Sequence, residues 1–488
     1  MPSADVTPDP PVASPGATGE PAASVETGET AEPAASVLDL EKPDDAALRW
    51  WDGGTLTAVH IPGSLDMSTS LPASVSLLAV RPRRSLRRPG VLVPLGLVVL
   101  LVAAYCTTMA LWPLNAVAPT IAAVTVTPHG AAAASLAWPK AGAAGVAVEG
   151  FGAPLASTTE QSAIASITKV VTALVVLDKS PVTAKDQGPT FTFTYADNAE
   201  YWSYLRNNES ALDVPIGGSL TQYQLLEGML IGSASNYAAR LADTWWGSDQ
   251  SFAVAANGWL DEHDVTGITI ADPTGFNAAN TATPAALIQV ARLAMDDPTI
   301  AEIVAKKSVK LPGAGTVKNT NDLLADPDVV GMKTGTLDGY NLLAVKDLKI
   351  GDVSLQIDAV ALNQPDSDAR WAAVRSLFAQ VDTQSEPTTS VAAGTPVGTV
   401  HTAWGASAPV VTASDADLVV WNSAKASAKT QLRLGTDWDR GAHAGTLTVS
   451  GPVNAATVDT TLAAHLDGPG FWWRVTHPIE LLGWFPAG

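Results

Sequence analysis

The chain has 488 residues, of which 28 are Lys or Arg and 48 are Asp or Glu, giving a net charge of −20. At about 150 residues per domain this length accommodates roughly three units and at least one large core. Such an acidic chain is ill-suited to sequence-independent nucleic-acid binding, which neutralises phosphates with Lys and Arg, and its single cysteine excludes a disulfide framework or a Cys-cluster metal site.

Residues 1–80 read as a cytoplasmic, mostly disordered acidic tail. Up to Asp45 there are ten acidic residues and only one basic residue, Lys42, in a text of Pro, Ala, Ser, Thr and Gly. Such a segment buries too little apolar surface to offset chain entropy. Residues 81–112 change character. Arg81, Arg83, Arg84, Arg87 and Arg88 precede Val91–Trp112, 22 residues without a charge. As a helix that stretch spans about 33 Å, one bilayer core, and Pro94 is tolerable inside it. The basic flank places the N-terminus in the cytoplasm and everything after Trp112 outside the cell membrane, as a single-pass topology. A cleaved signal would start near residue 1, and Pro119 disfavours cutting after Ala116-Val117-Ala118. The segment is therefore expected as an uncleaved anchor. Cys106 follows Tyr105, not the small residue that a lipid-modified cysteine wants.

Residues 113–138 read as a linker that holds the globular part off the bilayer. A globular text follows over 139–383. A β-rich start at Ala144–Glu149 leads to helices expected at Ser162–Leu177, Gln222–Thr244, Ser251–Glu262 and Pro284–Met295. Strands are expected at Val330–Lys333, Leu342–Lys346 and Ser354–Leu362. Strands, then helices, then strands again indicate an α+β fold. Beyond a linker at Asp382–Ser390, residues 384–488 show short alternating strands (GTVHTAW, PVVTAS, DLVVW, TQLRLG, GTLTVSG, VDTTLAA), a small β-rich C-terminal domain. The aromatic stretch from Phe471 to Phe485 is expected to be the packed edge of that domain, the alternative being a seat on the membrane interface.

Three short motifs carry chemistry. In Ser166-Ile167-Thr168-Lys169 the first and last residues lie three apart, on one face of a helix, so an amine can reach a hydroxyl. A serine is a weak nucleophile until a neighbour takes its proton, and a lysine can do so when burial or a second cation lowers its pKa. In Lys333-Thr334-Gly335-Thr336 an extended chain points Lys333 and Gly335 to the same side, and the bare Gly335 lets a substrate backbone lie against the strand edge. Between them stands Ser233-Ala234-Ser235-Asn236. The seven histidines are scattered and lack the spacing of a zinc site.

In this order the three motifs resemble those of the serine D-alanyl-D-alanine carboxypeptidases, the low-molecular-mass penicillin-binding proteins, whose signature is S-x-x-K, S-x-N and K-T-G. The resemblance covers about residues 140–380 and includes ASITKVVTAL, Asp272-Pro273-Thr274-Gly275-Phe276, Lys318-Asn319-Thr320-Asn321 with Leu323-Leu324, and Gly331. The C-terminal TDWDRG and FWWRVTHP stretches are similar to those of actinobacterial members. The resemblance implies a penicillin-binding-protein/β-lactamase-like transpeptidase domain, an antiparallel sheet flanked by helices plus a helical subdomain. It implies Ser166 as nucleophile, Lys169 as general base and Ser233 as proton shuttle. Ser235, Lys333, Thr334, Gly335, Thr336 and Arg370 would bind substrate, with the Ser166 and Thr336 amides as oxyanion hole. The implied substrate is a peptidoglycan stem peptide losing its terminal D-Ala through an acyl-enzyme, and β-lactams are the implied inhibitors. No metal or organic cofactor is required. Expected partners are the stem peptide and, through residues 91–112, the lipid bilayer, with no nucleic acid; the chain is expected to be a monomer.

One departure stands out. The family's S-x-N reads Ser-Ala-Ser here, and Asn236 comes one residue late, about 100° around a helix. A hydroxyl replaces an amide that offers both donor and acceptor. This leaves open a catalytically slow or silent peptidoglycan-binding scaffold. A class A β-lactamase would need a deacylating Glu in E-x-x-N, and neither Glu262 nor Glu302 provides it. A β-lactam sensor would need a signalling motif that the tail lacks.

Overall fold

The computed structural model describes residues 89–484, so the acidic tail and the arginine cluster before Pro89 lie outside the described residues. The first element, α1 (Pro89–Leu111), is uniformly apolar, and from Gly90 to Leu111 its mean hydropathy is 2.3 with none of the window buried within the protein.

The globular part is built on a five-stranded antiparallel sheet. Its order is Val329–Thr336, Tyr340–Ile350, Val353–Gln364, Ala143–Val148 and Leu155–Ala156, which leaves the strand carrying Lys333-Thr334-Gly335 at an edge. Successive residues of a strand face opposite sides of its sheet. Leu343, Val345, Val360 and Leu362 thus enter one core, and Leu342, Ala344, Ala359 and Ala361 enter another. Both faces are covered, and for that reason these strands read as continuous apolar runs and not as alternation.

The first core is helical. α2 (Thr168–Lys179) is buried from Thr168 to Leu177, and around it lie α3 (Tyr195–Arg206), α4 (Gln222–Ile231), α5 (Ser235–Trp246), α6 (Asp249–Glu262), α7 (Pro284–Asp296) and α8 (Pro298–Val304). α9 (Ser367–Gln384) closes the other face with Trp371, Val374, Leu377, Phe378 and Val381. A buried ion pair ties the layers together: Arg292 of α7 donates to Asp358 at 3.1 Å and to the Val148 carbonyl at 3.4 Å.

Four expectations need correction. The helix expected at Ser162–Leu177 starts late: Ser162–Ala163 is a short strand, Ala165–Ile167 a 3₁₀ turn, and α2 begins at Thr168. The helix expected over Gln222–Thr244 is two helices, because Ser233 has φ +63°, a left-handed conformation that stops α4 and restarts the chain as α5. The stretch 113–138 is no free spacer. Thr120–Ala123 pairs in register with Pro396–His401, Thr120 facing His401, as the first strand of a six-stranded sheet whose other members all lie beyond residue 395. Further along, Gln380 holds both backbone groups of Ala137. Finally, the aromatic stretch forms two short helices, α10 (Phe471–Thr476) and α11 (Pro478–Leu482), which pack on the end of α1 as well as on the C-terminal β-rich part, where Trp473 meets Trp404.

Replacing Arg292 by Met strands a fully buried carboxylate. Burial already pushes the Asp358 pKa up to about 6 despite Gln356 and Arg292. We predict that Arg292→Met lowers stability by about 3 kcal/mol at pH 8, measured by thermal unfolding in detergent. Because a carboxyl with a raised folded pKa destabilises only once it ionises, the deficit shrinks at pH 5, where Asp358 takes up a proton.

Candidate active site

The site forms where the 3₁₀ turn before α2, the break between α4 and α5, and the sheet edge converge. Ser166 sits half-buried in the turn, and Ala165 before it has φ +48°. One helical turn on, the Lys169 amine is fully buried and donates to Ser166 Oγ at 2.9 Å, to Ser235 Oγ at 3.2 Å and to the Thr274 carbonyl at 2.5 Å. Those three bonds use every N–H an ammonium has. Burial lowers the Lys169 pKa to about 7, while the negative charges of Asp272 and Glu209 hold it from falling further. Near neutral pH the amine is thus divided between its acid and base forms.

Opposite lies the sheet edge. Lys333 is fully buried, donates to the Thr334 carbonyl at 2.9 Å, and has a pKa well below the usual lysine range through burial and the nearby charges of Lys169 and Arg370. The Thr334 hydroxyl is 2.7 Å from that of Thr320. Gly335 explains itself by contact: a Cβ there would lie 2.6 Å from the Ile164 carbonyl oxygen and 3.1 Å from the Ser166 amide nitrogen. Any side chain would push the strand off the serine turn. Arg370 reaches over from α9, donating to Thr336 Oγ1 at 3.2 Å and to Ser367 Oγ at 3.1 Å, with its guanidinium 4.5 Å from the Trp371 ring.

The break after α4 delivers Ser233 and Ser235 to the same place, both buried. Ser235 opens α5, and its amide donates to the Ser210 carbonyl at 2.8 Å. Asn236 points elsewhere, gripping the Leu212 amide at 3.1 Å and the Leu212 carbonyl at 2.8 Å. Of the nine residues singled out from the motifs, Ser166, Lys169, Ser235, Lys333, Gly335, Thr336 and Arg370 are joined by these contacts, Thr334 lies between them on the strand, and Ser233 is buried two residues before Ser235.

Other residues carried no such assignment. Asp272 accepts from the Thr274, Gly275 and Asn277 amides at 2.6 to 2.7 Å, which fixes the turn whose Thr274 carbonyl holds Lys169. Within that turn Gly275 has φ +79°, and a Cβ there would collide with the Ala165 carbonyl. Asn341 donates to the Ala163 carbonyl and accepts from the Asn363 amide, tying the serine turn to the sheet. Glu209 stands close enough to Ser235 for that hydroxyl to favour its charged form, yet burial raises its pKa against the pull of Lys169. Glu209, Asp272 and Thr274 line a cavity of about 530 Å³ beside the lysine. The Asp272 turn has a visible motif; Glu209 has none and is found only in three dimensions.

Residues 155–364 match the family model described as D-alanyl-D-alanine carboxypeptidase. A D-alanyl-D-alanine carboxypeptidase of Streptomyces sp. strain K15 is 30% identical over 190 residues, 35% of this chain and 62% of that protein. One from Mycobacterium tuberculosis is 31% identical over 180 residues, 35% of this chain and 57% of that protein. Among solved structures, the Streptomyces K15 DD-transpeptidase covers 51% of this chain and 98% of its own at 24% identity, with a TM-score of 0.43. Penicillin binding protein 5 of Haemophilus influenzae covers 68% and 99% at 17% identity, with a TM-score of 0.47. Residues 155–364 are thus similar to the D-alanyl-D-alanine carboxypeptidase family. The matches span 62% and 57% of the two curated relatives' lengths.

If Lys169 is the base, acylation by a labelled penicillin rises with pH through about 7 and then levels, since the neutral amine is the reactive form. Glu209→Gln removes a charge that holds the lysine pKa up, so the rising limb moves to lower pH. An unmoved limb in stopped-flow acylation shows that Glu209 does not act on Lys169.

Proposed function

We propose that this chain is a membrane-anchored serine D,D-carboxypeptidase that removes the terminal D-Ala from peptidoglycan stem peptides and is acylated by β-lactams. The observation that carries the reading is the buried Lys169 amine, 2.9 Å from Ser166 Oγ and facing Lys333 across the cleft.

In this reading Ser166 Oγ attacks the carbonyl carbon of the penultimate D-Ala and its proton passes to Lys169 Nζ. The Ser166 and Thr336 amides stabilise the oxyanion, in keeping with the close approach of Gly335 to the Ser166 amide. The C–N bond to the terminal D-Ala breaks, and the leaving nitrogen takes its proton through Ser233. Lys333, Thr334, Thr336 and Arg370 meet the terminal carboxylate. Arg370 and Lys333 are both charged partners for an anion, and an anion between them relieves the repulsion that lowers the Lys333 pKa. Water then hydrolyses the acyl-enzyme, with Lys169 again taking a proton.

The replacement of the family Asn by Ser235 keeps one contact, since Ser235 Oγ accepts from Lys169 at 3.2 Å. It does not supply an amide for the substrate's peptide group. The alternative, a slow or silent peptidoglycan-binding scaffold, rests on that loss.

The membrane part of the proposal rests on α1. Its 22 residues from Gly90 carry no charge and are largely unburied, and the arginines before it would hold the N-terminus in the cytoplasm and the catalytic part outside. α1 then sits in the cell membrane as a single-pass anchor.

A labelled penicillin is predicted to attach covalently at Ser166, to be lost in Ser166→Ala, and to be slowed at least about 100-fold in Lys169→Ala, by loss of the general base. A wild-type protein that never labels overturns the nucleophile assignment. Release of D-Ala from a stem pentapeptide separates enzyme from scaffold. Ser235→Asn is expected to raise that release; no change or a fall means that other contacts already replace the missing amide.

A further inference from the structure

The C-terminal aromatic residues are divided in a way that packing within the protein does not explain. Trp473 turns inward: its ring stacks on His477 at 4.8 Å and meets Trp404 edge-on at 5.7 Å. Leu481 is fully buried with Met109 and Val117. Their neighbours turn outward. Trp472 is 75% exposed, Trp484 72%, Phe471 49% and Ile479 45%. Isolated surface aromatics are ordinary, but four large apolar side chains between Phe471 and Trp484, on two short helices and the turn after them, form a patch of the kind that marks a membrane or partner surface.

The position of that patch names its occupant. α10 is held to the outer end of α1 by two hydrogen bonds: the Tyr105 hydroxyl donates to the Val475 carbonyl at 2.8 Å, and Arg474 Nη1 donates to the Trp112 carbonyl at 2.8 Å. The second covers one of the orphan carbonyls at the end of α1. Tyr105 lies six residues before Leu111, so at 1.5 Å per residue the Val475 carbonyl sits about 9 Å short of the helix end. Interfacial helices bury an apolar face about 5–10 Å deep. The two depths agree. Leu111 and Trp112, at the end of α1 to which Arg474 is bonded, are exposed as well, where a spanning helix carries its aromatic belt. A six-residue helix does not hold together alone in water; here α1 supports it.

We propose that α10 and α11 form a second membrane contact, a hairpin lying in the headgroup region of the outer leaflet that α1 crosses, with Phe471, Trp472 and Trp484 set into the lipid. This rests on the reading of α1 as a membrane span. It implies that the catalytic part is not tethered loosely. The strand Thr120–Ala123 enters the six-stranded sheet nine residues after Leu111, so that sheet is held against the membrane surface at a fixed height.

Cys106 is the only cysteine, so site-specific labelling is direct. In a full-length Cys106→Ser background, Trp472→Cys, Trp484→Cys and, as a solvent control on an exposed loop, Lys185→Cys are spin-labelled. They are then reconstituted into vesicles of phosphatidylglycerol and phosphatidylcholine. The expected result is that labels at 472 and 484 collide at least several-fold more with oxygen than with a water-soluble nickel chelate, relative to the label at 185. Vesicle flotation is scored on the same samples, and penicillin labelling in detergent confirms that each variant is folded. Protein that floats while labels at 472 and 484 meet the chelate as freely as 185 overturns the hairpin contact and leaves the span intact. Labels shielded from both reagents place a second copy there, which also overturns it. Protein that does not float at all removes the span, and the hairpin contact with it.

Discussion

A lysine amine taken out of water and left without a carboxylate in direct contact is the constraint on which the site depends. Burial pulls the Lys169 pKa down, and the charges of Asp272 and Glu209, acting through space, oppose that pull and leave it at about 7. The surrounding structure reads as the means of holding that balance. The Asp272 turn presents a carbonyl to the amine instead of its own carboxylate, which is spent on backbone amides. The α4–α5 break supplies a hydroxyl, and the sheet edge supplies Lys333, whose own pKa burial and the charge of Lys169 push down. A lysine paired directly with a carboxylate would remain charged and would not accept a proton from Ser166.

The backbone is bent where this balance requires it. Ala165 and Ser233 adopt positive φ immediately before Ser166 and at the break between α4 and α5. Strain of this kind persists only where neighbouring structure over-determines it. Here the Asn341 side-chain amide holds the Ala163 carbonyl, and Gly275 and Gly335 bring backbone hard against the serine turn. The substitution at 235 is understandable in the same terms: the shorter side chain keeps the lysine contact and leaves Glu209 room to approach.

Much of the site was legible along the chain because its signals are local. Ser166 and Lys169 are one helical turn apart and Lys333 and Gly335 share one side of a strand, whereas Arg370 came only with the family resemblance, the helix that carries it being unforeseen. Periodicity placed α6, α7 and the central strands to within a few residues. It joined α4 to α5, because Gly232, Ser233 and Ala234 interrupt no apolar pattern and only the left-handed Ser233 separates them. It also read 113–138 as a spacer, since the four-residue strand Thr120–Ala123 gains its meaning from a partner nearly 280 residues away.

By itself the sequence determined the apolar 22-residue span, the order and spacing of the three motifs, and the alternation of the C-terminal strands, because each depends only on residues a few positions apart. Tertiary structure alone decided that Glu209 and Asp272 reach the lysine, that the aromatic C-terminal stretch folds onto α1, and how far each pKa moves. Desolvation and charge coupling depend on what surrounds a group in space, and for Lys169 the charges are those of Glu209 and Asp272, 40 and 103 positions away.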